Sequence, residues 1–433
     1  MRKLAIACFF ITLPFAAFAS DEWPSFRGPK LQGQAQASGL PITWSETENV
    51  KWKTELPGTA WSSPVVSANE IWMTNATEEG HSLRVMCVTL DEGKIIHDVE
   101  VFHVEKQPFK HVLNSYASPS PVIDKGRLYV FFGTHGAACI NTANAQKIWE
   151  NTDLKHDPQN QAGSTPVQYK DKILICIDGM DVQYQVALNK SDGKVAWKTD
   201  RSMKFPPNTK EDMKKAYGTP LIYQVDGKDQ MVAVAAEGFY AYDPNTGKEL
   251  WRLKHPGFSC VPIPVFGDGV LYMSTGFNTP QLWAVKPIAG GGDTLDLPPE
   301  NVLWKIKGQA QLLNAPSDAR PVSVPSPNKP SPLLIGTRLY VLADGGALSC
   351  IDVPTGKAVW VQKLGGEYSA SPTFADGKIY IFNHTGTGTV FEPGEKFNKL
   401  AENTLDEGCM ASPAVVGKAL IVRTKKAIYR IEK

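Results

Sequence analysis

The chain has 433 residues, with 45 Lys and Arg against 44 Asp and Glu and a formal net charge of +1. Such a balance argues against nucleic acid or an anionic membrane surface as the main partner. This length ordinarily divides into several domains unless a repeat extends one architecture.

Residues 1–19 read as a secretory signal. Arg2 and Lys3 give the positive start, Leu4 to Phe15 the apolar stretch, and Ala17-Phe18-Ala19 the small-x-small pattern for cleavage after Ala19. The apolar run falls short of the roughly 20 residues that span a bilayer, and Pro14 interrupts it. Cys8 comes before the apolar segment is complete, too early for a lipid-attachment cysteine. No second stretch of this kind follows. The mature chain, residues 20–433, is therefore expected in the periplasm or outside the cell as one domain without a transmembrane segment.

One pattern then recurs: a small residue, a polar turn, and a tryptophan ten positions on. Cys139 to Trp149, Ala187 to Trp197, Ala241 to Trp251 and Cys350 to Trp360 follow it. Cys87 to His97 and Val390 to Leu400 keep the spacing without the tryptophan, and Ala284 to Trp304 carries an insertion containing Gly290-Gly291-Gly292. Ahead of each copy stands a Ser/Thr-Pro or Pro-x-Pro step: Ser63-Pro64, Ser120-Pro121, Thr165-Pro166, Thr219-Pro220, Pro262-Ile263-Pro264, Pro325-Ser326-Pro327, Ser371-Pro372 and Ser412-Pro413. Between step and tryptophan lie short β-rich runs separated by turns such as Asp124-Lys125-Gly126. Each unit thus holds four antiparallel strands, and eight such units predict an all-β, eight-bladed β-propeller. The last unit stops after three strands, so the segment around Asn49 to Lys53 is expected to supply the fourth, closing the ring with strands from both termini.

The run from Ala241 to Trp251 (Ala-Tyr-Asp-Pro-Asn-Thr-Gly-Lys-Glu-Leu-Trp) resembles the tryptophan-docking motif of quinoprotein propellers, in which one blade's tryptophan packs against the next blade. That resemblance gives Trp149, Trp197, Trp251, Trp304 and Trp360 structural docking roles. The opening Trp23-Pro24-Ser25-Phe26-Arg27-Gly28-Pro29, with Leu40-Pro41-Ile42-Thr43-Trp44 and Asn49-Val50-Lys51-Trp52, resembles the start of the bacterial PQQ-binding-like repeat proteins grouped with BamB. It implies a monomeric, exported, non-catalytic binding or scaffold protein with a protein partner in the cell envelope. The alternative is a quinoprotein oxidoreductase of alcohols or sugars using pyrroloquinoline quinone with Ca2+. Many alcohol-oxidising members carry adjacent cysteines in a disulfide beside the cofactor. This chain has no adjacent cysteine pair and no matching carboxylate–amide–aspartate set, so no cofactor is expected. A third reading, a secreted glycan-binding module, treats Trp61, Trp72 and Trp283 as exposed.

Cys87, Cys139 and Cys350 occupy positions held by alanine in other copies, which predicts buried free thiols rather than a disulfide framework. The resemblance implies that ligands gather at the central funnel and that the turns between second and third strands face it. Those turns offer His135, Asp178, Asp181, Glu237, Asn278, Asp344 and His384 as candidate ligand residues. The same residue types also simply make hairpin turns. Three insertions, 100–117, 201–217 and 307–331, are expected to overhang that face. The first holds His103 and His111, which lack a metal-ligand spacing, so no metal site is expected. In the second, Thr209 and Asp212 have capping-box spacing for a short helix; the third, rich in proline, is expected to form no strands. No Gly-x-Ser-x-Gly, His-Glu-x-x-His or phosphate-cradling loop occurs, so catalytic residues remain unassigned.

Overall fold

The computed structural model describes residues 22–290 and 295–433. The signal segment with its cleavage position, and Gly291 and Gly292 of the glycine run, lie outside the described residues. Eight four-stranded antiparallel sheets are arranged as propeller blades. Blades 1 to 7 span residues 65–103, 122–151, 167–200, 221–254, 265–306, 333–363 and 373–404. Blade 8 joins residues 414–431 to the N-terminal strand Val50–Glu55, which pairs with Ala427–Ile431 from Glu55↔Ala427 to Val50↔Ile431. The ring is closed by both ends of the chain, as the repeat predicts. Among the described residues no helix is long and apolar enough to cross a membrane.

Within a blade, the middle strands are buried on both faces. Lys172–Asp178 and Gly238–Tyr242 show no alternation of exposure, because each face is covered by a neighbouring blade. The outermost strands alternate, as in Val50–Glu55, because one face meets water. The apolar clusters accordingly straddle blade boundaries: one joins blades 1 and 2, another blades 2 and 3, and the largest links blades 7, 8 and 1.

The ten-residue spacing has a geometric cause. The small residue lies directly across the third and fourth strands from the aromatic: Cys139↔Trp149, Ala187↔Trp197, Ala241↔Trp251, Ala284↔Trp304, Cys350↔Trp360 and Cys87↔His97. A register shift follows that pair every time, so the bulge is part of the repeat. In blade 7 the turn between these strands is one residue longer, so Val390 faces Ala401 rather than Leu400.

The indole N–H groups reach out of their own strands. Trp149 donates to the Lys190 carbonyl, Trp197 to Pro244, Trp304 to Val353 and Trp360 to Gly394, all in the following blade. Trp52 of the closing strand does the same to Leu90 of blade 1. Gly193, at φ +71, leaves room for this contact, since a Cβ there would sit 2.4 Å from the Trp149 ring. Trp251 differs: it donates to Gln230 of its own blade, whose amide bonds the Ile288 and Ala289 carbonyls. The blade 5 insertion begins there and replaces the turn that Trp251 would otherwise meet.

Several finer expectations are corrected. The step before the inner strand of blade 6 is Ser331-Pro332, not Pro325-Ser326-Pro327, which lies within the 307–331 insertion. That insertion does contain strands, the hairpin Gly308–Ala310 with Val322–Val324. Around Thr209 and Asp212 only a single 3-10 turn, Glu211–Met213, forms without a side-chain cap, because the Thr209 hydroxyl donates to Pro206 instead. Trp72 and Trp283, taken as exposed, are 0% and 4% exposed, since both faces of their strands are covered. The six cysteines of the described chain are free and buried, set in separate blades and loops.

One buried group ties stability to pH. His255, in the loop after blade 4, is 5% exposed and lies 4.3 Å from the Phe239 ring; Nδ1 accepts the Gly257 N–H while Nε2 has no partner. Burial pushes its pKa down to about 3 from an ordinary 6.5. Between those values the unfolded chain binds a proton that the folded chain refuses. Stability therefore falls as pH drops through this window, by roughly 1.4 kcal/mol per unit for this one group. His255→Asn, which keeps an acceptor for Gly257, is expected to flatten that slope in urea unfolding curves. Equal slopes in the two proteins would remove His255 from the account.

Candidate functional site

The turns between second and third strands lie on one face with the loops linking blades. The Glu237 N–H donates to Gly257, Phe277 to Phe258, Tyr368 to Asp344, His384 to Glu367 and Lys425 to Gly408. At the centre of this face opens a cavity of about 580 Å³.

Its wall carries a ring of hydroxyls, one from the residue preceding the proline of each blade step. The N–H of Ser63 donates to Ser120 Oγ, Ser120 to Thr165 and Thr165 to Thr219, at 2.8 to 3.1 Å. Across the ring Ile263 donates to Ser331, Ser331 to Ser371, Ser371 to Ser412, and Ser412 back to Ser63, at 2.9 to 3.0 Å. Only blade 5, with Ile263, lacks the hydroxyl. The following proline has no N–H to give, so this residue supplies the donor, and its own side chain supplies the acceptor for the blade before. Each link contributes about 1 kcal/mol.

The far end of the cavity is closed by the N-terminal segment. Trp23 forms a bridge with Val66 of blade 1, and Pro24 accepts the Ile123 N–H of blade 2. Gln32 accepts from Phe266 of blade 5, and Gly33 and Ala35 exchange bonds with Phe374 of blade 7. The segment thus crosses the axis, with Phe26 facing the cavity and Arg27 buried beside it, donating to Pro332 of blade 6. Among the described residues no acid pairs with Arg27, and burial lowers its pKa to about 9.

Aromatic and apolar groups line the upper part: Trp61, Tyr217, Phe258 and Phe277. At the rim Phe109, Val112 and Leu113 of the first insertion are 68%, 81% and 44% exposed, and Phe277 is 56% exposed. Two lysine–aspartate neighbourhoods complete the lining. Lys329 is paired with Asp344 at 2.8 Å. Lys215, 4% exposed, donates to the backbone carbonyl of Asp212 and lies 5.5 Å from the Phe258 ring centre. Burial lowers its pKa, and the Asp212 carboxylate raises it by a smaller amount.

Of the residues singled out from sequence, Asp344 lines the cavity. His384 stands behind Ser369, which does line it, with Nε2 2.8 Å from the hydroxyl. His135 pairs with Gln107, and burial, with help from Lys155 and His156, pushes its pKa down to about 4. Asp178 is 4% exposed and bound to Arg201, while Asp181 accepts the Asp157 N–H. Glu237 and Asn278 occupy left-handed turn positions at φ 57 and 74. The seven are therefore spread through the turns rather than gathered on one ligand. Sequence reasoning missed the hydroxyl ring, although a Ser or Thr before the proline in most steps was its visible signal.

The protein of Burkholderia pseudomallei (strain K96243) named outer membrane protein assembly factor BamB is 33% identical over 92 residues, 21% of this chain and 23% of that protein. The match thus spans about a quarter of that relative's length. The crystal structure of BamB from Moraxella catarrhalis superposes with a TM-score of 0.58 at 12% identity, covering 88% of this chain and 99% of that one. Quinohemoprotein alcohol dehydrogenase from Comamonas testosteroni gives 0.65 at 10% identity, covering 95% and 80%. At such identities the structural likeness is one of fold. The family model described as outer membrane protein assembly factor BamB matches residues 182–290 and 294–424, more than half of the chain, and this propeller belongs to that PQQ-like repeat family.

Proposed function

We propose that this protein is a non-catalytic, exported binding protein of the cell envelope that docks an apolar segment of a protein partner on its loop face. The observation that carries this reading is the exposed apolar rim, Phe109, Val112, Leu113 and Phe277, set around a cavity closed at its far end. Large apolar side chains held in water on loops of a rigid scaffold mark interaction surfaces. The partner class is taken from the BamB-like family, whose model and curated relative are named outer membrane protein assembly factor.

A quinone-dependent oxidoreductase is supported by the fold likeness alone. The cavity residues do not fit a calcium-held quinone: among the described residues no group of three or more His, Cys, Asp or Glu could hold a metal, and Asp344 is engaged by Lys329. Calcium takes six to eight oxygen ligands, with carboxylates prominent among them. A glycan-binding module loses two of its three supporting tryptophans to the core.

A photo-crosslinking amino acid at Phe109 tests the reading in cells. Crosslinks to a component of the outer-membrane assembly machinery or its clients are expected, and a crosslinker at Lys396, on an outer hairpin, is expected to give none of them. Loss of the distinction between the two positions, or dye-coupled alcohol oxidation by protein loaded with quinone and calcium, would overturn it.

A further inference from the structure

The cavity beneath the docking rim has an imbalance of hydrogen-bonding groups. Each of the seven ring oxygens already accepts a neighbour's backbone N–H, which leaves its hydroxyl proton to be donated. Among the described residues none of these hydroxyls donates a hydrogen bond. The Trp61 indole N–H, also on the lining, is buried without a partner. Lys215 is buried with only a backbone carbonyl on its ammonium, and among the described residues no carboxylate lies within ion-pair distance. The acids of the lining cancel this surplus only in part: Asp344 is taken by Lys329 and the Asn328 N–H, and Asp212, outside ion-pair distance, raises the Lys215 pKa by less than burial lowers it. Among the described residues, the one buried side-chain acceptor of the lining without a partner is Asn328 Oδ1. A buried polar group without a partner is costly, so the cavity favours an occupant rich in acceptors.

Shape narrows the occupant further. The N-terminal segment closes the far mouth, so a polypeptide cannot thread through and an internal segment would have to fold back on itself within about 580 Å³. A chain end can enter straight. An amino terminus would bring more donors and a like charge toward Lys215; a carboxyl terminus brings acceptors and the opposite charge. The rings of Trp61, Tyr217, Phe258 and Phe277, between rim and ring, suit apolar side chains just ahead of that carboxylate.

We infer that the axial cavity receives the C-terminal end of a polypeptide, its free carboxylate held by Lys215 and the Ser/Thr ring and its last apolar side chains held by the aromatic wall. This rests on the docking reading and specifies which part of the partner enters.

The test uses the mature protein and an N-terminally fluorescein-labelled hexapeptide ending in Leu-Phe, made as the free acid and as the C-terminal amide. Fluorescence anisotropy is expected to show saturable binding of the acid and at least tenfold weaker binding of the amide. Lys215→Met is expected to weaken the acid at least tenfold and leave the amide unchanged, which separates charge recognition from a packing defect. Ser371→Ala with Ser412→Ala gives a second variant away from Lys215, expected to reduce the acid-to-amide preference when read well below a thermal midpoint that the loss of two ring links lowers. Equal affinity of acid and amide would overturn the inference and leave the docking reading standing. Binding of free benzoate or acetate in the cavity with no binding of the acid peptide would overturn it in favour of a small-molecule carboxylate site. Loss of Phe109 crosslinks together with absence of all peptide binding would remove both.

Discussion

A chain lacking residues 51–55 is expected to lose its cooperative thermal transition at the wild-type temperature. Those residues form most of the fourth strand of blade 8, paired with Ala427–Ile431, and without them an inner strand of a closed ring becomes an open edge. The same strand fastens blade 8 to blade 1: Trp52 donates to Leu90, and the Thr54 hydroxyl donates to the Gly93 carbonyl at 2.5 Å. Lys53 adds a surface cluster with Glu46 and Asp406 that is worth little by comparison. Because a ring transmits strain to every interface, losing one closure weakens all the boundaries it holds in register. Trp52→Ala gives the graded form, expected to cost about 2–4 kcal/mol and to lower the midpoint by several degrees. Calorimetry decides the matter, since a truncated chain melting within a degree or two of the full one would mean that blade 8 stands on three strands.

The ring and its closure were legible because a hairpin converts distance in the sequence into contact in space. Cys139 and Trp149 are ten residues apart and face one another, and that relation survives even where the hairpin of Ala284 and Trp304 is lengthened. The N-terminal plug was not legible in the same way. Its partners are backbone atoms of Val66, Ile123, Phe266 and Phe374, spread over blades far apart in sequence, and backbone atoms carry no residue-type signature. Trp72 and Trp283 were misread because strands covered on both faces show no alternation to distinguish inward from outward. Pro325-Ser326-Pro327 imitated a blade step within an insertion, and only the strand Leu333–Ile335 identifies Ser331-Pro332 as the true one. At the site, Asp178 had the right residue type in the right turn, yet its charge is spent inside the protein.

That spent charge predicts the second large effect. Asp178 ends the second strand of blade 3, Arg201 follows the fourth, and they meet side by side: Nε to Oδ1 at 3.0 Å and Nη2 to Oδ2 at 2.8 Å. Their side chains are 1% and 4% exposed. The third arm of the guanidinium donates to Tyr242 in blade 4 at 3.0 Å, and its central carbon lies 5.1 Å from the Tyr240 ring centre. The pair therefore locks the outer part of blade 3 to its own middle and to the next blade. Asp178→Leu leaves a buried guanidinium with no counter-charge and is expected to cost about 3–5 kcal/mol. Arg201→Met leaves the carboxylate equally stranded and is expected to cost as much. Combining Asp178→Leu with Arg201→Met removes both charges and keeps the volume apolar, so it is expected to recover most of the loss instead of doubling it. Urea unfolding of the four proteins measures the coupling. Strict additivity would show that each residue acts through packing alone, and the contact between the carboxylate and the guanidinium would then carry none of the stability assigned to it.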